Sequence, residues 1–390
     1  MCYDADACLY GMQLDVMAAE YDLSSVESYL FDPQPNTMRL MRDMMSRLGL
    51  KATRVIENVN DMYSVANTRI PDLLVIDAEN TESEVFRLLR YIRGDPASHN
   101  PFMSLIVTTW QPTNGLLNKV TSCGGDDLLI KPASPKQMME RVTSLIENRR
   151  RFVVTADYVG PERRKSPRPG RHMPLIEVPN TLRLKAFGHW DNFTSRHIIS
   201  KAVEEVNNIR LSRCAVQIGF LVEFALPGLA SELPDRVSLE HLFRIPPLGE
   251  DILHRLGDSP RRAKIEPALR LLIGIVEYMR AHAETHLAAR ALEKLHTQTC
   301  EVMHLIDPDR PLEEIMGDVQ DFVSNYRERL EEFVAAKAAA AAFAAASAEA
   351  GSVAPSNNAE TTPAAVETPV AADVSEVTAL ADAISESPSA

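Results

Sequence analysis

Two groups of residues in this 390-residue chain have the types and spacing for chemistry. The first centres on Asp77, which closes the run Pro71-Asp72-Leu73-Leu74-Val75-Ile76. Branched aliphatics ending on a carboxylate are how a strand buried on both faces delivers an acid to the rim of a parallel sheet, where ligands of open α/β sheets collect. Three more short apolar runs end on polar groups: residues 28–31 on Asp32, 103–107 on Thr108 and Thr109, and 127–130 on Lys131-Pro132. The second group is His282, His286, Glu293, His296, Cys300 and His304, which share a narrow arc if residues 262–306 form one helix. His and Cys one turn apart can bind zinc. Leu287, Ala291, Leu295, Val302 and Leu305 take the opposite face, so the stripe is expected to face solvent or an interface.

The elements that must position the first group follow from periodicity. A helix over 38–48 carries Met38, Met41, Met44, Met45 and Leu48 on one face and stops at Gly49. A strand over 52–56, a helix over 59–68 and the strand 73–76 follow. A helix over 82–93 turns Val85, Leu88, Leu89 and Ile92 inward, before a strand at 103–107 and a helix at 116–122. A last strand at 127–130 leads into a helix over 134–148. Five βα units imply a parallel sheet with helices on both faces.

With Asp32, Asp77, Thr109 and Lys131-Pro132 each at a strand end, and with Thr109 lying 22 positions before Lys131, the stretch 25–148 resembles the receiver domain of bacterial response regulators. The resemblance covers about a third of the chain. It implies a flavodoxin-like fold with strand order 2-1-3-4-5. It also implies that Asp77 accepts a phosphoryl group from a sensor histidine kinase or a phosphotransfer protein, and that Asp32 and Asp77 hold Mg²⁺. Lys131 would pair with a phosphoryl oxygen, Thr109 would turn to it, and the peptide before Pro132 would be cis. The chemistry has a plain basis, since a carboxylate attacks phosphorus only when nearby cations neutralise the incoming charge. Gly124-Gly125-Asp126-Asp127, half of a diguanylate cyclase signature, reads here as the turn before the last strand.

Departures from the family pattern fall around these residues. Pro33 stands where a second metal-binding acid is usual, which weakens Mg²⁺ binding. Trp110 replaces the small residue that leaves room for the phosphoryl group, Leu128 replaces an aromatic, and Asn80-Thr81 and Val85 replace a Met-Pro turn and a glycine. Without a phosphate, Lys131 would be salt-bridged to Asp77 and Asp32, holding the domain in one state. The alternative to phosphoryl transfer is therefore a pseudo-receiver, a binding module that takes no phosphate.

Residues 149–180 carry Arg149-Arg150-Arg151 and several prolines, and read as a basic extended linker. Arg164 and Arg168 in it resemble the opening of cyclic-di-GMP-binding PilZ domains, but the polar motif that should follow is missing. Residues 181–334 show helical spacing throughout, with helices at 196–207, 212–224, 239–243, 248–256, 262–282, 283–306 and 312–333, an all-α domain without a basic recognition helix. No histidine there is followed by the Lys-Gly step of histidine phosphotransfer domains. The alanines of 335–346 extend the last helix by propensity, and past Gly351 the composition turns acidic and disordered. Residues 1–24 form an N-terminal extension with acids where a signal peptide carries bases. A net charge of −13 disfavours DNA, no run suffices to span a membrane, and five scattered cysteines fit a reducing cytoplasm. The expectation is a cytoplasmic bacterial response regulator, not a turnover enzyme, that signals through contact between the helical domain and a partner protein.

Overall fold

The alternating apolar runs assemble as one sheet. In a computed structural model, which describes residues 21–79, 82–163, 175–284 and 286–350, five strands pair in the order β2-β1-β3-β4-β5. They are β1 (Ser28–Phe31), β2 (Thr53–Val55), β3 (Leu73–Asp77), β4 (Ser104–Thr109) and β5 (Asp127–Ile130). All four pairings are parallel. Parallel neighbours need crossovers, and these are α1 (Pro35–Arg47), α2 (Asp61–Thr68), α3 (Glu82–Gly94) and α4 (Asn114–Ser122), with α5 (Pro135–Glu147) after β5. The fold is flavodoxin-like, as the sequence implies.

Side chains alternate across a strand, so β3 feeds two cores. Leu73 and Val75 join Leu30, Ile106 and Leu129 beneath α1 and α5, where Met41, Met45, Met138 and Val142 meet them. Leu74 and Ile76 join Tyr29, Leu105 and Val107 against Met62, Leu88, Leu89 and Leu116 of α2, α3 and α4. Tyr21 and Leu23, placed by sequence in an N-terminal extension, belong to the first core. Caps set the helix starts near the sheet rim. Ser134 and Gln137 form a capping box on α5, and the Thr113 hydroxyl accepts from the Leu116 amide at the start of α4.

Where the prolines suggest a linker at 149–180, the structure has a hairpin. β6 (Phe152–Val154) and β7 (Val159–Pro161) pair antiparallel, and Phe152 also bridges to Ile176. Phe152, Val154 and Val159 are buried with Ile70, Phe102, Ile199 and Val206. Prolines exclude a helix after residue 160 but do not forbid strands before it, and Phe152-Val153-Val154 is β-rich. Arg149, expected in a solvated linker that docks on acidic surface of its own chain, has its side chain buried against such an acid. Its guanidinium lies 3.5 Å from Asp126, and burial pushes its pKa down to about 10. Arg93 donates to the same carboxylate at 2.7 Å and to the carbonyls of Gly124 and Met103, and the Phe152 ring lies 5.1 Å from Arg93 and 5.2 Å from Arg149.

The remainder is helical: α6 (Thr181–Ala186), α7 (Asn192–Leu229), α8 (Arg236–Leu242), α9 (Ile245–Leu256), α10 (Arg262–Ala281), α11 (Ala289–Ile306) and α12 (Leu312–Ala350). The expected helices at 196–207 and 212–224 are one, because no glycine or proline separates them and the weak helix propensity of Asn207-Asn208 is too small to break a packed helix. The chain divides into a sheet unit, residues 1–214 with 250–263, and a helical unit, residues 215–249 with 264–390. The sheet unit thus extends beyond residue 180: Leu182 and Ala186 join the α1–α5 core, and the Asp22 amide donates to the Ala186 carbonyl. In the helical unit Gly219 permits close helix approach, since a Cβ there would lie 2.6 Å from Met303 Sδ and 2.7 Å from Val319 Cγ2. Among the described residues, no helix is long and apolar enough to cross a membrane. Residues 1–20, Asn80-Thr81, Arg164, Arg168 and the tail from 351 lie outside the described residues.

Candidate functional site at the carboxyl ends of the strands

Register brings three of the four expected side chains together. β1 and β3 are paired neighbours, so Asp32, just past Phe31, stands beside Asp77. β5 ends at Ile130, two strands away, and the long Lys131 side chain spans the distance. The Lys131 ammonium donates to Asp32 Oδ2 at 3.0 Å and to Asp77 Oδ2 in a shorter contact. The Lys131-Pro132 peptide is cis. Asp77 is 0% exposed, Lys131 4% and Asp32 6%. Each carboxylate is also tied to backbone, Asp32 Oδ1 accepting from the Gln34 amide at 2.8 Å and Asp77 Oδ1 from the Glu79 amide at 2.7 Å.

The threonine that bonds the Asp77 carboxylate is Thr108. Thr108, which faces Asp77 across the β3–β4 ladder, donates its hydroxyl to Asp77 Oδ2 at 3.1 Å. Thr109 points elsewhere, its hydroxyl accepting from the Gln111 amide at 3.1 Å. The Thr108-Thr109 pair is visible in the sequence, but one residue of register decides which hydroxyl reaches the acid. Trp110 lies with its ring centroid 5.2 Å from the Lys131 ammonium and is 37% exposed, so an indole roofs the buried charges. Leu128 is half-buried against the α2–α4 core.

Two carboxylates against one ammonium leave the cluster acidic. Asp32 and Asp77 converge on a single cation, and oxygen donors of that kind are what Mg²⁺ takes. The donor type therefore fits Mg²⁺, with Asp32 and Asp77 the residues that would hold it. The exposed Pro33 adds no carboxylate. Among the described residues, no group of three or more His, Cys, Asp or Glu side chains is placed to hold a metal ion.

The same holds for the histidine stripe. Residues 262–306 are two helices, α10 ending at Ala281 and α11 starting at Ala289, so His282 and His286 leave the arc of His296, Cys300 and His304. His282 Nδ1 bonds the Tyr278 carbonyl, and His286 Nδ1 lies 3.3 Å from the Ser231 carbonyl. His296 pairs with Glu223 at 3.1 Å, and Cys300 Sγ is 4.0 Å from His296 Nε2. Burial raises the Cys300 thiol above its ordinary value, which works against the thiolate a metal takes.

No family model and no curated protein matches the chain. Among solved structures it is similar to the crystal structure of a signal receiver domain of two component signal transduction (histidine kinase) from Clostridium thermocellum, at 20% identity. The match covers 31% of this chain and 96% of that one, with a TM-score of 0.28. The fold assignment rests on the strand order and registers above.

Proposed function

We propose that this chain is a receiver-type component of a two-component phosphorelay, in which Asp77 accepts a phosphoryl group and the helical unit passes the state to a partner protein. The observation that carries the reading is the Lys131 ammonium bonded to both Asp77 and Asp32 at the carboxyl edge of the sheet. An Asp77 oxygen attacks phosphorus, and the new O–P bond forms as the P–N bond of a phosphohistidine breaks. The leaving imidazole keeps the electron pair and takes a proton from water. Lys131 then moves one hydrogen bond from the carboxylate to a phosphoryl oxygen, and Thr108 or Thr109 supplies a hydroxyl. Mg²⁺, when bound, offsets the charge of the incoming group. The chain modifies itself and turns over no substrate, so it is not an enzyme in that sense.

A second reading has its own observation. With Asp77 fully buried and Trp110 over Lys131, the cluster also suits a pseudo-receiver whose ion pairs lock one state for binding. Incubation with Mg²⁺ and acetyl phosphate separates the two. The first reading expects an acid-stable, alkali-labile adduct on the wild type and none on Asp77→Asn. No adduct on either protein leaves the pseudo-receiver, and an adduct on both places the acceptor elsewhere.

A further inference from the structure

Beside the amino end of β3 lies a cavity of about 480 Å³, within the sheet unit and away from Asp77. It is lined by Glu27, Thr68, Arg69, Ile70, Lys185, Trp190, Asn192 and Arg196, which is three bases against one acid. The chain as a whole has the opposite balance, with 54 acids and 41 bases. Glu27 does not neutralise the cavity, because its carboxylate is divided between Arg69 at 3.1 Å and Arg54 at 3.6 Å. Lys185 is a buried cation, held at 2.6 Å by Asp72 and lying 4.8 Å from the Trp190 ring centroid. Arg196 donates only to the uncharged Asn192 side chain, at 2.9 Å, and among the described residues it has no ion-pair partner.

The lining is therefore rich in donors: two guanidiniums, the Asn192 amide, and the Lys185 ammonium that Asp72 shares, while the Thr68 hydroxyl is turned to the Ser64 carbonyl. Such a set complements an anion with several oxygens, and guanidiniums bind phosphate oxygens in pairs. The volume lies within the range of pockets that hold organic ligands, roughly 300–1,000 Å³, and is larger than a lone phosphate needs. The cavity's surface is mainly polar, and the Trp190 indole is the group in the lining that a carbon skeleton attached to the anion would meet.

We propose that this cavity binds an organic phosphate of nucleotide size, with the phosphate oxygens on Arg69 and Arg196 and the organic part against Trp190. The site is separate from the Asp77 cluster and does not depend on its phosphorylation. Calorimetric titration of the full-length protein at low ionic strength tests it, with ADP, adenosine and inorganic phosphate as probes. ADP is expected to bind one per chain, adenosine not to bind, and inorganic phosphate to bind about tenfold more weakly. Arg69→Gln and Arg196→Gln each remove a charge-assisted contact and should weaken ADP by about tenfold. Both side chains are exposed, and unchanged thermal transitions would show the variants folded. No heat with ADP, or equal ADP affinity in wild type and both variants, overturns the proposal. Adenosine binding as tightly as ADP overturns the phosphate contact, and inorganic phosphate binding as tightly as ADP overturns the organic ligand.

Discussion

Asp72 and Asp77 stand at opposite ends of β3, and each gives a carboxylate oxygen to a buried lysine that lies over an indole. For Asp72 these are Lys185 and Trp190, and for Asp77 they are Lys131 and Trp110. Between them Leu73 to Ile76 carry no polar side chain. The strand is thus anchored by hydrophobic burial along its length and by ion pairs at its tips. One pair marks the candidate phosphoryl site. The other ties α6 to the start of the central strand, as does Asn100, whose amide donates to the Pro71 carbonyl at 2.7 Å and to the Thr181 hydroxyl at 3.4 Å.

Removing one partner of the second pair strands a charge in a dry place. Lys185→Met should destabilise the sheet unit by about 3–5 kcal/mol, the usual cost of breaking a buried pair. Asp72→Leu combined with Lys185→Met should recover most of that, because two apolar groups then replace two desolvated ions. Urea unfolding followed by tryptophan emission reads this unit alone, since Trp110 and Trp190 are the chain's two tryptophans and both lie in it. A double variant no better than Lys185→Met would show that the pair is needed for more than charge balance.

Trp110 covers the first pair from its half-exposed position. Trp110→Ala should cost only about 0.5–1 kcal/mol, the worth of an exposed cation–π contact. It should also speed labelling of Asp77 by acetyl phosphate, because the roof over Lys131 is gone. Trp110→Phe keeps a ring and should label like the wild type. Equal labelling rates in all three proteins would mean that the indole does not limit access.

The hairpin makes a steric prediction. Gly124 has φ +84°, and a Cβ there would lie 2.8 Å from Arg93 Cγ and 3.0 Å from the Val159 carbonyl oxygen. Gly124→Ala therefore pays both left-handed strain and displacement of the Arg93–Asp126 pair, for a loss above about 1 kcal/mol. Phe152→Ala, at a fully buried ring, should cost about 3–5 kcal/mol. In both variants limited proteolysis should cut between residues 149 and 180 sooner than in the wild type.

These sites differ in how plainly the sequence announces them. Asp77 was legible because its strand is apolar on both faces and the acid breaks that pattern. Asp32 and Lys131 were legible as the polar ends of shorter runs and through the receiver resemblance, since β5 is only half-buried. Thr108 was not, because choosing between adjacent threonines requires the register. The hairpin was hidden because prolines after residue 160 dominate the composition, although Phe152-Val153-Val154 and Val159 are strand-like and Asp157 marks a turn. Lys185 gives no signal at all: it sits on a six-residue helix whose place beside Asp72 depends on long-range packing.

The helical unit carries a pH dependence of its own. His241 lies 4.6 Å from the Phe224 ring and 6.0 Å from that of Tyr326, and its Nδ1–H donates to the Val237 carbonyl. Burial holds the imidazole below its ordinary 6.5 against the opposing Val237 hydrogen bond, and Arg244 adds to the effect while Glu240 and Asp235 oppose it. A folded-state value below the unfolded one means that the unfolded chain takes up the proton first as pH falls. The contribution of neutral His241 is therefore complete above 6.5 and is lost as pH falls through the folded value. Unfolding followed by far-UV circular dichroism between about pH 7.5 and 5 should show the helical unit weakening toward acid, the range in which histidine titrates. His241→Gln, which carries no titrating group, should flatten that decline. An equal decline in the variant would assign the pH dependence to other groups of the unit.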